Sequence, residues 1–446
     1  MKNKYMRLIP FTLSAAILLA AGIMQPTEIT AAENNTVSET SSAQASSDDV
    51  TESADYDASV GYDASEAVSI TLSGSTAQAS SDAVSVNGST VTITAAGTYI
   101  LTGTLDDGCI IVDAGKEDKV QLVLDGASIH SETFAALYVL QADKVTVTLS
   151  DGTSNSLSNG GSFVLIDENE VDAAVYAKDD ISFDGSGSLT VSSPAGHGIV
   201  GKDDVTFTGG TYEITAADSA IRGKDSIEIT DGTFVLSAED GLHAENNDDE
   251  TLGGITITGG SFTINASDDG IHATTLLQID AGTFDITAAE GLEATYVKIN
   301  DGKISISASD DGVNAASKSS VYTPTIEING GTLTIVMGAG DTDGIDSNGN
   351  LIVSGGTIDI TGSSAFDYDG SAQYNGGTII INGETVNAIT GQMMGGMQGM
   401  NGMGGMHGPN GMNGMHGPNG MNGTGGMNGT NDMNGTNDMN GTPLSN

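Results

Sequence analysis

Tryptophan is absent from the 446 residues, cysteine occurs once, and 13 lysines and arginines stand against 59 aspartates and glutamates. Each scarcity excludes something. A chain with a formal charge of −46 cannot neutralise phosphates, which excludes nucleic acid as a partner. It is equally ill-suited to anionic membrane surfaces. The same charge favours cations, or anionic ligands bridged by cations. The lone Cys109 excludes an intramolecular disulfide framework, and its place in a strand-like run at 108–112 makes it a buried thiol. Without tryptophan, the few tyrosines become the aromatic candidates for stacking against a ligand.

What is present begins with a short basic and apolar N-terminus. Lys2, Lys4 and Arg7 precede the apolar stretch from Leu8 to Ala21, and small residues follow at Ala31 and Ala32. This is the pattern of a secretory signal over residues 1–32, too short for a membrane span. The chain is therefore expected to be secreted or loosely associated with a cell envelope, monomeric, and without membrane insertion after cleavage. Residues 33–67 are rich in Ser, Thr, Ala and Asp and read as a disordered linker. Residues 391–446 hold twelve of the 16 methionines among Gly and Asn and read as a low-complexity tail, in which His407 and His416 could join thioethers in holding Cu(I).

Between them, residues 68–390 repeat. The clearest stretch reads ITITGGSFTINASDDGIHA from residue 255, LQIDAGTFDITAAEGLEA from 277, VKINDGKISISASDDGVNA from 297 and IEINGGTLTIVMGAGDTDGIDS from 326. Apolar residues alternate with polar ones, which is the strand period. The turn glycines Gly260, Gly282, Gly302 and Gly331 are 22, 20 and 29 residues apart. Units of this length cannot bury a core alone, but stacked units share one. The fold predicted is all-β: a right-handed parallel β-helix with coils of about 22 residues.

Equivalence between repeats places Asp240, Asp269, Glu290, Asp311 and Asp343 above one another, with Glu239, Asp268, Asp310 and Asp341 beside them. Coils lie about 4.8 Å apart. Unit like charges at that spacing repel by roughly 3 kcal/mol at an effective dielectric of about 20, so a column of five is costly unless a cation intervenes. Carboxylates and turn carbonyls are hard oxygen donors, which suits calcium. The predicted calcium ligands are Asp240, Asp268, Asp269, Glu290, Asp310, Asp311 and Asp343. The alternative is a solvated acidic edge.

A second column occupies the third position of each short Gly-Ile-x-Ala piece and should point outward. It reads Tyr138, Tyr176, Val200, Arg222, His243, His272, Glu293, Asn314 and Asp346. Tyr138 and Tyr176 could form a sugar-stacking platform or an aromatic ladder that stabilises the solenoid. His243 and His272 could bind a transition metal, bond sugar hydroxyls, or simply lie on the surface. Asn314 completes the candidate ligand set. Lys178, Lys202 and Lys224 recur beside Asp179, Asp203 and Asp225. They either screen those acids or, with Arg222, form a cationic patch for uronate carboxylates.

The strings GTYILTG at 97–103, VQLVLDGASI at 120–129, GTSNSL at 152–157, KDDI at 178–181 and IRGKDSI at 221–227 resemble the bacterial carbohydrate-binding proteins built as calcium-binding parallel β-helices, similar in fold to pectate lyases. The resemblance implies binding of polysaccharide, cellulose or acidic pectin-type glycans, with calcium and without catalysis. Two other readings stay open. A calcium-dependent polysaccharide lyase would use Arg222 or Lys224 as base, and a structural or adhesin solenoid would use neither.

Overall fold

A computed structural model describes residues 61–340 and 342–390. The signal-peptide assignment, most of the linker, Asp341 and the tail lie outside these residues. From Val68 onward the described residues form a parallel β-helix of 34 strands with no helix among them. One coil shows the plan. Asp240–Ala244 forms the first face, Gly254–Ile257 the second and Ser261–Ala266 the third. In the next two coils the first two faces merge into one bent strand, Asp269–Ile279 and Glu290–Ile299. Each strand pairs in parallel with its equivalent in the next coil, giving twelve rungs on the first face from Thr90–Ile93 to Ser364–Tyr368. Antiparallel hairpins close both ends. Val68–Gly74 pairs with Ala77–Ala79 and Val84–Asn87 with Thr90–Ile93, while Thr378–Ile381 pairs with Glu384–Val386. These caps cover edges that would otherwise recruit another strand.

The alternation seen in the sequence becomes burial. In Thr283–Ala288, Phe284 and Ile286 are buried while Thr283, Asp285 and Thr287 are exposed. Because pairing is in register, like residues stack. Phe234, Phe262 and Phe284 form a buried ladder with ring centroids 4.8 and 4.6 Å apart and planes within 4°. Offset or stacked rings add about 0.5–1.5 kcal/mol per pair beyond area burial.

Two glycine positions recur for different reasons. Gly260, Gly282, Gly302 and Gly331 adopt positive φ at the corner before the third face, a region closed to most residues. Gly241, Gly270, Gly291, Gly312 and Gly344 instead permit close approach. A Cβ on Gly291 would lie 2.4 Å from the Gly312 carbonyl oxygen and 2.5 Å from Ile306 Cγ2. That contact explains the invariable glycine after each column acid.

The expected outward column is real in register but not outward throughout. Tyr138 and Tyr176 pair with one another and are buried at 0% and 4% exposure. Segment 160–172 folds over them and forms a satellite core with Phe134, Val171, Val200 and Cys109. The Tyr138 hydroxyl donates to Asp167 Oδ2 at 2.7 Å and accepts from Asn169 Nδ2 at 2.8 Å. The tyrosines are thus no exposed platform. They are covered by a segment that carries no repeat pattern.

Phe262→Ala should cost about 3–5 kcal/mol, as a large buried ring is lost from a ladder. The exposed Thr263→Ala should stay within about 0.5 kcal/mol. Urea unfolding followed by circular dichroism checks both, and equal effects would contradict the ladder.

Candidate functional site

The first face carries two parallel columns three residues apart. Ser219 pairs with Asp240, Asp269 with Glu290 and Asp343 with Ser364; the same register stacks Asp240 on Asp269, Glu290 on Asp311 and Asp311 on Asp343. In the second column Arg222 pairs with His243, then His272, Glu293, Asn314, Asp346 and Asp367 follow. Both columns are fixed by buried neighbours. Ile271, Leu292, Val313, Ile345 and Phe366 lie between them, each at or below 1% exposure.

At the N-terminal end of this face the charges find partners. Arg222 Nη2 donates to Glu245 Oε2 at 2.8 Å, and Lys224 Nζ to Asp248 Oδ2 at 2.6 Å. Both acceptors sit in the loop after Asp240–Ala244. His243 Nδ1 lies 2.7 Å from Asp240 Oδ2, and Ser219 Oγ donates to the same oxygen at 3.2 Å. Burial pushes the Asp240 carboxyl up, but these bonds hold it below its ordinary value.

The middle is a buried cluster. His272 Nδ1 lies 2.6 Å from Asp269 Oδ2 and 2.8 Å from Glu293 Oε2, and Lys318 Nζ reaches that glutamate oxygen at 2.8 Å. Asp269, His272 and Glu293 are all buried, and one donor atom from each lies within 4.8 Å of the others. The His272 ring stacks on His243 with centroids 4.5 Å apart and planes 5° apart. Lys318 arrives from the insertion at 316–324. That insertion is anchored by the Thr295 hydroxyl oxygen, which accepts from the backbone N–H of Lys318 and Ser319. Burial disfavours the imidazolium, but the two carboxylates outweigh it and raise His272 to about 9. Burial likewise opposes the Glu293 anion, yet His272 and Lys318 pull it down to about 2.

The C-terminal end has no such compensation. No Lys, Arg or His among the described residues forms an ion pair with Glu290, Asp311, Asp343 or Asp346. Burial and then Glu293 raise Glu290 to about 7. Burial, with Asp310 and Asp343 adding to it, raises Asp311 to about 6. Burial followed by Asp311 and Asp367 raises Asp346 to about 7. Asn314 Nδ2 donates to Glu290 Oε2 at 3.0 Å, while its Oδ1 is buried without a partner.

The structure therefore brings together His243, His272, Asn314, Asp240, Asp269, Glu290, Asp311 and Asp343. Asp268 and Asp310 stand exposed at the adjoining corner. Tyr138 and Tyr176 belong to the satellite core, and the cations of Arg222 and Lys224 are taken up by Glu245 and Asp248. At the Lys-Asp corner Lys202 sits over the Tyr176 ring at 5.3 Å and Lys224 bonds Asp248; Lys224 still acts favourably on Asp225 and Asp203, but no lysine among the described residues forms an ion pair with Asp203. Burial and then Asp225 raise that aspartate to about 6. Glu293, Lys318, Asp346 and Asp367 were absent from the predicted ligand sets. Glu293 and Asp346 were visible as third-position residues; Lys318 lies in an insertion with no equivalent in other coils.

The described residues thus form a β-solenoid with half-buried carboxylates gathered on one face. A model of the carbohydrate-binding domain-containing protein family matches residues 87–342, more than half of the chain, and the chain belongs to that family. A carbohydrate-binding domain-containing protein of Acetivibrio thermocellus is 39% identical over 137 residues, which is 30% of this chain and 48% of that one. The chain thus spans about half the length of that relative. A solved structure of a polysaccharide lyase-like protein from C. thermocellum, a gadolinium derivative, aligns with a TM-score of 0.49 and 32% identity, over 54% of this chain and 96% of that one.

His272 should titrate near 9 in EDTA-washed protein, against an ordinary value of about 6.5. Glu293→Gln should bring it down by removing one of its two carboxylates. Imidazole resonances followed by NMR measure both, and an ordinary value in the unaltered protein would contradict the cluster.

Proposed function

We propose that the protein binds acidic polysaccharide through calcium held on the C-terminal half of the first face, without catalysis, and that it acts outside the cell as a single chain. The observation that carries the reading is the set of carboxylates raised together at Glu290, Asp311 and Asp346 with no ion-pair partner among the described residues. Glu290, Asp311, Asp343 and Asp346 would hold the ion, with the orphaned Asn314 Oδ1 as a further oxygen. An all-oxygen set of this kind fits calcium. Bound calcium supplies positive charge to which uronate carboxylates and sugar hydroxyls attach, which lets a chain of charge −46 hold a polyanion. Family membership supports a carbohydrate ligand. Arg222 and Lys224 are held by Glu245 and Asp248, so a lyase would have to release them before either met substrate.

Two measurements test this. Pull-down on polygalacturonate should be lost in excess EDTA and restored by calcium, and Asp311→Asn with Asp346→Asn should weaken it at least tenfold. Retained binding in EDTA sinks the reading, as does unsaturated-uronate absorbance during incubation. The second measurement is the pH dependence of apo stability. The folded values of Glu290, Asp311 and Asp346 lie above unfolded values of about 4, so the native state binds more protons. Stability from these groups is therefore full below about pH 4 and is lost as pH rises through 6 to 7. The melting temperature of apo protein should fall across that window, and saturating calcium should flatten the fall.

A further inference from the structure

The buried cluster in the middle of the first face differs in chemistry from the acids below it, because it offers a ring nitrogen. Asp269 Oδ2, His272 Nδ1 and Glu293 Oε2 come from two adjacent coils and converge on one point, with His272 Nδ1 at 2.6 and 2.8 Å from the two oxygens. We infer that these three residues form a second metal site, selective for a d-block divalent ion such as zinc, manganese or cobalt over calcium.

Three observations carry the inference. The donor set is one imidazole nitrogen and two carboxylate oxygens, which suits first-row divalent metals, whereas calcium takes oxygen alone. Two carboxylates and a neutral imidazole match the charge of a divalent ion. The donors are also held in place beforehand. Asp269 and Glu293 lie on paired strands at 7% and 5% exposure, and the His272 ring is pinned against the parallel His243 ring. Tetrahedral donors at bonds of about 2.1 Å stand roughly 3.4 Å apart, so the contacts of His272 at 2.6 and 2.8 Å need to open by less than about 1 Å.

Lys318 is the competitor. Its ammonium holds Glu293 Oε2 at 2.8 Å from an insertion rather than from the coil, and its side chain is 31% exposed. It can swing into solvent when an ion takes the oxygen. The stacked His243 contributes ring orientation; its Nδ1 is committed to Asp240. The site shares no residue with the proposed calcium set, although Glu293 and Asp269 adjoin Glu290, so either proposal can fail alone.

The test uses full-length, EDTA-stripped protein and Co2+, whose visible d–d absorption reports nitrogen and oxygen ligation. The expected result is a one-equivalent band that survives millimolar calcium. His272→Ala and Glu293→Gln should each weaken Co2+ binding at least tenfold, whereas Asp311→Asn and Asp346→Asn should leave it unchanged. Lys318→Met should tighten it several-fold. A band that His272→Ala leaves intact, such as one from His407 and His416, overturns the inference, as does displacement by stoichiometric calcium. Should His272→Ala fail to melt cooperatively, Lys318→Met decides: tighter binding supports the site, and unchanged or weaker binding overturns it.

Discussion

In-register parallel pairing is the constraint from which the rest follows. It sets each residue about 4.8 Å from its equivalent in the next coil, so a choice made once in the repeat is made again along the whole rod. For apolar residues the repetition is favourable. Ile264, Ile286, Ile306, Ile335 and Ile360 fill one inner line, each at or below 1% exposure, and no coil could bury that surface alone. For charged residues the same repetition accumulates repulsion, and the first face is where the chain must resolve it.

It does so in two ways. Toward the N-terminal end, hydrogen-bonding and cationic partners are interleaved with the acids. Asp240 has His243, and Asp269 and Glu293 share His272 and Lys318. Toward the C-terminal end the second column turns from His272 and Glu293 to Asn314, Asp346 and Asp367, and among the described residues no cation replaces what is lost. The carboxyls of Glu290, Asp311 and Asp346 respond by holding their protons to higher pH. Burial is the larger cause in each case and like-charge neighbours add to it, which distinguishes these acids from a solvated edge. One face thus runs from a segment whose acids have partners to one whose acids have no ion-pair partner among the described residues.

Much of this was legible because a solenoid converts sequence spacing into spatial contact. The alternation in 255–347 specified strands, and aligning the Gly-Ile-x-Ala pieces placed Asp269 on Glu290 and His243 on His272. What spacing could not reveal were contributions from outside the repeat. Segment 160–172 buries Tyr138 and Tyr176, yet its own pattern matches no coil. Lys318 enters from an insertion whose path depends on Thr295 and on the carbonyl of Glu250. The importance of Glu293 was missed for another reason. Residues in one column were compared with each other, whereas the decisive bonds cross between columns, from residue i to i+3 and to the next coil.

The fold itself has no need of acids at these positions. The column that holds Asp240, Asp269, Glu290, Asp311 and Asp343 continues upward through Ser219, His197 and Ala173 and downward to Ser364, with the same strand pairing and the same buried neighbours. Residues other than acids, such as Ala173, Ser219 and Ser364, therefore satisfy the geometry at either end of the column. Five successive coils instead carry carboxylates; the lower three are half-buried, and at Glu290 and Asp311 burial and like-charge neighbours both oppose ionisation. Serine at those positions would avoid the repulsion and preserve the solenoid, so the acids answer to a demand other than folding. A cation joining protein oxygens to the oxygens of a ligand meets that demand, because the interaction that destabilises the empty column is the one that would hold the ion.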